Sequence, residues 1–151
     1  MGSLIADGPK NGLYKASTSY GQGTRILRID NFYAGTIGSW DGLKRLTVSD
    51  AELNDFGLAV GDIVVNRVNS MSHLGKSALV RELPESCVFE SNMMRIRLEV
   101  SRLLPEFCIL VLTSPGGIAQ LQQNAKQAVN QASINQTDVK AVVLALPPLP
   151  E

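Results

Sequence analysis

The side chains in this sequence that could carry chemistry are mainly cations, amides and a few aromatics. Lys10, Lys15, Arg25, Arg28, Lys44, Arg45, Arg67, Lys76, Arg81, Arg95, Arg97 and Arg102 all precede Leu104, and only Lys126 and Lys140 follow it. Tyr14, Tyr20, Tyr33 and Trp40 are interleaved with the early ones. Arginine can pair bidentately with guanine, asparagine or glutamine with adenine, while lysine neutralises phosphates. The same residues also fit an ordinary solvated surface offset by acids.

Other motifs lack the context their chemistry needs. Leu74-Gly75-Lys76-Ser77 looks like the end of a nucleotide phosphate loop, but position 70 is Ser where Gly is required, and the residues that follow read as strand rather than helix. The segment Asn69 to Lys76 reads as a loop whose Asn, His and Lys could face a polyanion, or as a solvated hairpin tip. Gly21-Gln22-Gly23 has no third glycine and precedes a strand, so it is no dinucleotide fingerprint. There is no G-x-S-x-G elbow, and a triad would have to use His73, the only histidine. Asp41, Asp50, Glu52, Asp55 and Asp62 read as caps and turn residues. Cys87 and Cys108 lack metal-ligand spacing and are expected to be reduced thiols in or near a core. Neither a catalytic constellation, a metal site nor a cofactor is expected.

The chain has 151 residues, 44% hydrophobic and 19% charged, which is one globular domain on the usual scale. Lys+Arg and Asp+Glu are both 14, so binding by bulk positive charge is excluded, though a local basic face is not. No apolar run reaches the ~18 residues of a membrane span. The N-terminus has no charged n-region, and Ala6 breaks the myristoylation pattern. A cytoplasmic location without membrane contact is expected.

These residues need elements to position them. Residues 7 to 24 are rich in turn formers and read as irregular. Residues 25 to 33 read as a strand, and Ser49-Asp50-Ala51-Glu52 is a capping box opening a short helix that Gly57 ends. Residues 60 to 70 read as a strand, with further strands at 77 to 83 and 87 to 90. From 93 to 100, Met94, Ile96, Leu98 and Val100 alternate with Met93, Arg95, Arg97 and Glu99, the pattern of a half-buried strand. Pro105 opens a helix that Ser114-Pro115-Gly116-Gly117 ends. A second helix is expected from Ile118 through Ala132, then a helical turn near Thr137-Asp138 and a strand at 142 to 146 before Pro147 and Pro148. The fold class is α+β: a mixed, mainly antiparallel twisted sheet with helices grouped towards the C-terminal end.

Several stretches taken together resemble a known family. They are Gly23-Thr24-Arg25-Ile26-Leu27-Arg28-Ile29-Asp30-Asn31-Phe32, Gly61-Asp62-Ile63-Val64-Val65-Asn66-Arg67-Val68-Asn69-Ser70, and Leu74-Gly75-Lys76-Ser77-Ala78-Leu79-Val80. Ser91-Asn92-Met93-Met94-Arg95-Ile96-Arg97, Gln131-Ala132-Ser133-Ile134-Asn135-Gln136-Thr137-Asp138 and Leu146-Pro147-Pro148-Leu149-Pro150-Glu151 complete the set. Their order and spacing resemble the target recognition domain of type I restriction-modification specificity (S) subunits, with Arg25 where a more typical member has Pro.

That resemblance implies a non-catalytic reader of double-stranded DNA. A full subunit would carry two such domains separated by long paired helices, each reading half of a split target through the major groove. Methylation and cleavage would belong to methyltransferase (M) and restriction (R) partner subunits. Residues 1–146 would form a single recognition domain and 147–151 the start of a truncated spacer, as in a half-subunit or an excised fragment. DNA-facing residues are expected to be Lys10, Tyr14, Lys15, Tyr20, Arg25, Lys44, Arg45, Arg67, Asn69, His73 and Lys76, with Arg67 and Asn69 reading bases. The competing expectation is a protein-interaction module using the helical region 105–132, without DNA binding. A small hydrolase has no visible nucleophile–base pair to support it.

Overall fold

A computed structural model describes residues 1–146. The elements run β1 (Ile5–Asn11), β2 (Tyr20–Leu27), β3 (Phe32–Tyr33), β4 (Thr36–Ile37), β5 (Arg45–Leu46), α1 (Asp50–Phe56), β6 (Ile63–Asn66), β7 (Val68–Asn69) and β8 (Ser77–Leu79). They continue with β9 (Cys87–Phe89), β10 (Met93–Leu98), α2 (Pro105–Thr113), α3 (Pro115–Gln122), β11 (Lys126–Ala128), β12 (Gln131–Ser133) and α4 (Gln136–Ala141). The fold is α+β, as expected.

The centre is a four-stranded antiparallel sheet in the order β1-β10-β6-β8. Its middle strands are covered on both faces. Ile63 and Val65 of β6, Leu79 of β8, and Met94, Ile96 and Leu98 of β10 join one core with Cys108, Ile109 and Leu112 of α2, Leu121 of α3 and Val139 of α4. Val64, Ala78 and Met93 face the other way, into a core with Leu27, Cys87, Phe89, Phe32 and Trp40. A second sheet, β5-β2-β9, supplies that cover; β2 runs parallel to β9 and antiparallel to β5. The outer face of this sheet buries Ile26, Leu46 and Val88 with Leu13. Strict alternation along β6 and β10 therefore feeds two cores from one sheet.

The capping box at α1 is present: Ser49 Oγ accepts from the Glu52 amide at 3.2 Å, and the Glu52 carboxylate accepts from the Ser49 amide at 2.8 Å. Pro105 stands in the first turn of α2. Ser114 both ends α2 and caps α3, where its Oγ accepts from Gly117 N.

Several expectations about individual elements are overturned. Residues 7 to 24 are not wholly irregular, because β1 and the first half of β2 occupy them. Both strands hide behind register shifts, which break the sequence alternation. The strand expected over 25–33 ends at Leu27, where Asn31 Oδ1 takes the Arg28 amide at 2.8 Å and turns the chain. The strand expected over 60–70 divides at Arg67 into β6 and β7, which lie in different sheets.

The strand from 93 is not half-buried. Arg95 is only 2% exposed, with its guanidinium 5.7 Å from the Phe89 ring centre, and the strand stops at Leu98 with Val100 exposed. Arg95 can be enclosed because Nη2 donates to Asp7 at 2.8 Å and Nη1 to the Gly57 carbonyl at 2.8 Å.

The helix expected over 118–132 ends at Gln122, and β11 and β12 follow as a hairpin turning at Asn130 (φ 63°). Ala and Gln tolerate either period, so tertiary pairing decides: β12 pairs with the short β7 through Ala132↔Asn69 and Ser133↔Val68. The continuous helical surface over 105–132 is therefore absent. No strand forms at 142–146. There the Met1 ammonium donates to the Val142 carbonyl, and Gln120 Oε1 accepts from the Val143 amide at 2.7 Å. The segment assigned to a spacer, 147–151, lies outside the described residues.

Leu112 is fully buried, whereas Val129 at the hairpin tip is 90% exposed. Leu112→Ala should lose about 2–5 kcal/mol of unfolding free energy in a urea titration. Val129→Ala should stay within about 0.5 kcal/mol of the parent; a large loss there would restore the buried helix read from sequence.

Candidate nucleic-acid interface

The second sheet and the loops around it build a cationic recess of about 350 Å³, lined by Lys15, Ser17, Tyr20, Arg28 and Lys44. Register explains the gathering. Tyr20 opens β2 and Arg28 follows its end, while Lys44 precedes β5, with its carbonyl accepting from Ile26 N at 3.0 Å. Lys15 is 2.7 Å from Glu52 of α1, and Arg28 Nε is 3.2 Å from Glu90. Among the described residues Lys44 has no carboxylate partner. The Tyr20 phenol is pushed up mainly by burial, against the opposing pull of Arg28, so it stays protonated as a donor. A recess with ammonium, guanidinium, hydroxyl and phenol donors can hold an oxyanion such as a phosphate.

The remaining expected residues lie elsewhere. Lys10 sits beside α1, 3.4 Å from Asp55 and 4.9 Å from the Phe56 ring centre. Tyr14 is exposed to solvent, at 79%. Arg25 and Arg45 share Glu85: Arg25 Nε is 2.7 Å from Glu85 Oε1, and Arg45 makes a bidentate pair at 2.6 and 3.0 Å. That pair holds the Glu85 carboxyl below its usual range. Arg25 is itself buried, with Nη2 donating to Asp41 at 3.2 Å.

In the segment 67–76 Arg67, Asn69, His73 and Lys76 are each engaged by another residue. Arg67 Nη1 donates to the Ser91 carbonyl at 3.0 Å, and Asn69 Oδ1 accepts from Ser70 N at 2.7 Å. His73 Nδ1 lies 2.9 Å from Ser70 Oγ and 3.0 Å from Ser72 Oγ. Lys76 Nζ is 4.9 Å above the exposed Tyr33 ring, and both line a small recess with Leu112 and Ile118. The structure thus joins Lys15, Tyr20 and Lys44, and links Arg25 with Arg45. It adds Ser17 and Arg28, which sequence reasoning left out of the site. No local motif marks them, because only the fold-back of β2 against β5 aims them at one recess.

Comparison with known proteins gives a consistent picture. Over 145 residues, 94% of its length, the chain is 32% identical to the putative type I restriction enzyme MjaX specificity subunit of Methanocaldococcus jannaschii, covering 33% of that protein. It matches a domain of type I restriction specificity subunits. The type I restriction enzyme StySPI specificity subunit of Salmonella potsdam is 29% identical over 154 residues, covering all of this chain and 32% of that subunit. The crystal structure of a type I restriction-modification S subunit from M. genitalium shares the fold, with a TM-score of 0.60 and 15% identity over 93% of this chain and 31% of that one. The chain therefore spans about a third of each specificity subunit it matches. No protein-family model matches it.

Among the described residues no helix is long and apolar enough to cross a membrane, and no group of His, Cys, Asp and Glu is placed to hold a metal ion. Both cysteines are buried in the cores, and burial pushes the Cys87 thiol up to about 12 and the Cys108 thiol up to about 11. A thiol this reluctant to ionise is a poor nucleophile. At pH 8 the folded protein should leave a disulfide thiol reagent almost unconsumed, with both thiols reacting once urea unfolds it. Fast reaction of the native state would contradict the burial.

Proposed function

We propose that this chain is a target recognition domain that reads one half of a split duplex DNA site on behalf of a type I restriction-modification complex. The observation that carries the proposal is the 32% identity to a specificity subunit across 94% of the chain. The recess of Lys15, Ser17, Tyr20, Arg28 and Lys44 supports it, being suited to a backbone phosphate on one wall of the fold. Bond-making and bond-breaking are assigned to separate methyltransferase and restriction subunits, and the working location is the cytoplasm. Residues 1–146 act as one recognition unit; 147–151 lead into a spacer that joins a second recognition domain.

Within that proposal the expected DNA-facing residues divide by role. Lys15, Tyr20 and Lys44, with Arg28 and Ser17, hold one stretch of backbone. Lys10, Tyr14 and Lys76 add contacts along it, and Arg67, Asn69 and His73 face base edges once their local partners are exchanged for DNA. Arg25 and Arg45 contribute through the rigid platform they make with Glu85.

Neutral net charge limits affinity to the micromolar range or weaker near physiological salt, with binding falling steeply as salt rises. Fluorescence anisotropy at low salt is the test. Lys44→Ala and Lys76→Ala should weaken binding to every duplex alike and lower the salt slope by about one each. Arg67→Ala should relax preference at a single base pair. Binding that is absent at low salt, or independent of salt, defeats the proposal.

A further inference from the structure

We propose that Gln22 is a base-reading side chain, with adenine its preferred partner, carried on an extrusion of β2 two residues after Tyr20 of the cationic recess; this rests on the DNA-recognition reading above. In the ladder between β2 and β5, Tyr20 and Thr24 both stand opposite Leu46, so residues 21 to 23 are surplus to the pairing and loop outward. Gly21 (φ 142°) and Gly23 (φ 107°) take backbone conformations that L side chains rarely adopt. At Gly23 a Cβ would also lie 2.7 Å from the Leu46 carbonyl oxygen. Gln22 is thus the lone side chain of the extrusion, and it is exposed.

The base of the extrusion is held firmly. Arg45 Nη1 donates to the Gly23 carbonyl at 2.8 Å while the same guanidinium is clamped by both oxygens of Glu85. Leu46, opposite both ends, is fully buried. On the other side the Thr47 amide donates to the Ser19 carbonyl at 2.9 Å. A rigid root with one projecting amide is the arrangement that fixes a reading group in space.

Position supplies the ligand. Tyr20, where the extrusion leaves the sheet, and Lys44, two residues before Leu46, both line the recess. A phosphate seated among Lys15, Arg28 and Lys44 would set the adjoining groove near the Tyr20 end of β2, from which the extrusion leaves. Gln22 carries no charge and adds nothing to general attraction for a polyanion. Its carboxamide offers one donor face and one acceptor, which match N7 and the N6 amino group of adenine in the major groove.

The experiment is enrichment from a randomised duplex library at low salt with the full chain, comparing the parent with Gln22→Ala and Gln22→Glu, followed by anisotropy on the selected duplex. In the parent an A·T pair should be enriched at one position that becomes degenerate in Gln22→Ala. Affinity for the selected duplex should fall about 5- to 150-fold, roughly the worth of one bidentate contact. Affinity for unrelated duplexes and the salt slope should be unchanged in that variant, because no phosphate contact is lost. Gln22→Glu should shift preference towards cytosine at the same position. An unchanged urea midpoint confirms that the exposed side chain was not structural. If the parent selects a sequence and Gln22→Ala selects the same one with equal affinity, the role of Gln22 is overturned while the recognition reading stands. Loss of preference at a G·C pair overturns the adenine assignment. A parent that enriches nothing and binds without salt dependence overturns both.

Discussion

Two-sided burial of the antiparallel pair β6–β10 is the constraint on which the rest of the molecule depends. Ile63, Val65, Met94, Ile96 and Leu98 face one way and Val64 and Met93 the other, so each face must be covered, and a buried aliphatic side chain contributes roughly 1.5–3 kcal/mol. The helices α2, α3 and α4 cover one face. The sheet β5-β2-β9 covers the other, and the strands and loops of that second cover carry Tyr20, Arg28 and Lys44 of the cationic recess. Remove the need to enclose Val64 and Met93 and there is no reason for β2 to lie where Tyr20, Arg28 and Lys44 converge.

Charge is organised around the same constraint. Arg95 is drawn into the space between the sheets and tied to Asp7 and Gly57, and Arg97 Nε is 2.7 Å from Asp62. Glu85 and Glu90 secure arginines at the two ends of the second cover. The zero net charge is therefore no average of a featureless surface. Much of the positive charge is occupied within the fold, and among the described residues Lys44 and Lys76 pair with no carboxylate. Such screened ion pairs add little stability on the surface, and their main effect is to fix where guanidinium groups point.

Local rules made some of this legible in the sequence. The capping box at Ser49, the Pro105 helix start and the β-branched run of β6 follow from side-chain chemistry within a few residues of themselves. What the sequence concealed was decided at a distance. Gln131-Ala132-Ser133 has no strong preference of its own and becomes a strand because β7 offers a partner. Arg95 reads as solvent-facing until Phe89 is laid over it. In the candidate site, Lys15, Tyr20 and Lys44 were legible as isolated cations and a phenol. Ser17 carried no signal and Arg28 was one cation among many, because only the pairing of β2 with β5 sets Lys44 beside the strand that they flank.

The hairpin added to β7 leaves β11 as the outermost strand of its sheet. That rim exposes unpaired amides and carbonyls, the usual invitation to a stray chain. Here it is only three residues long, and it begins with the exposed Lys126, whose ammonium would have to shed water before another strand could dock. A strand this short, opened by a lysine, is a poor template for a further strand.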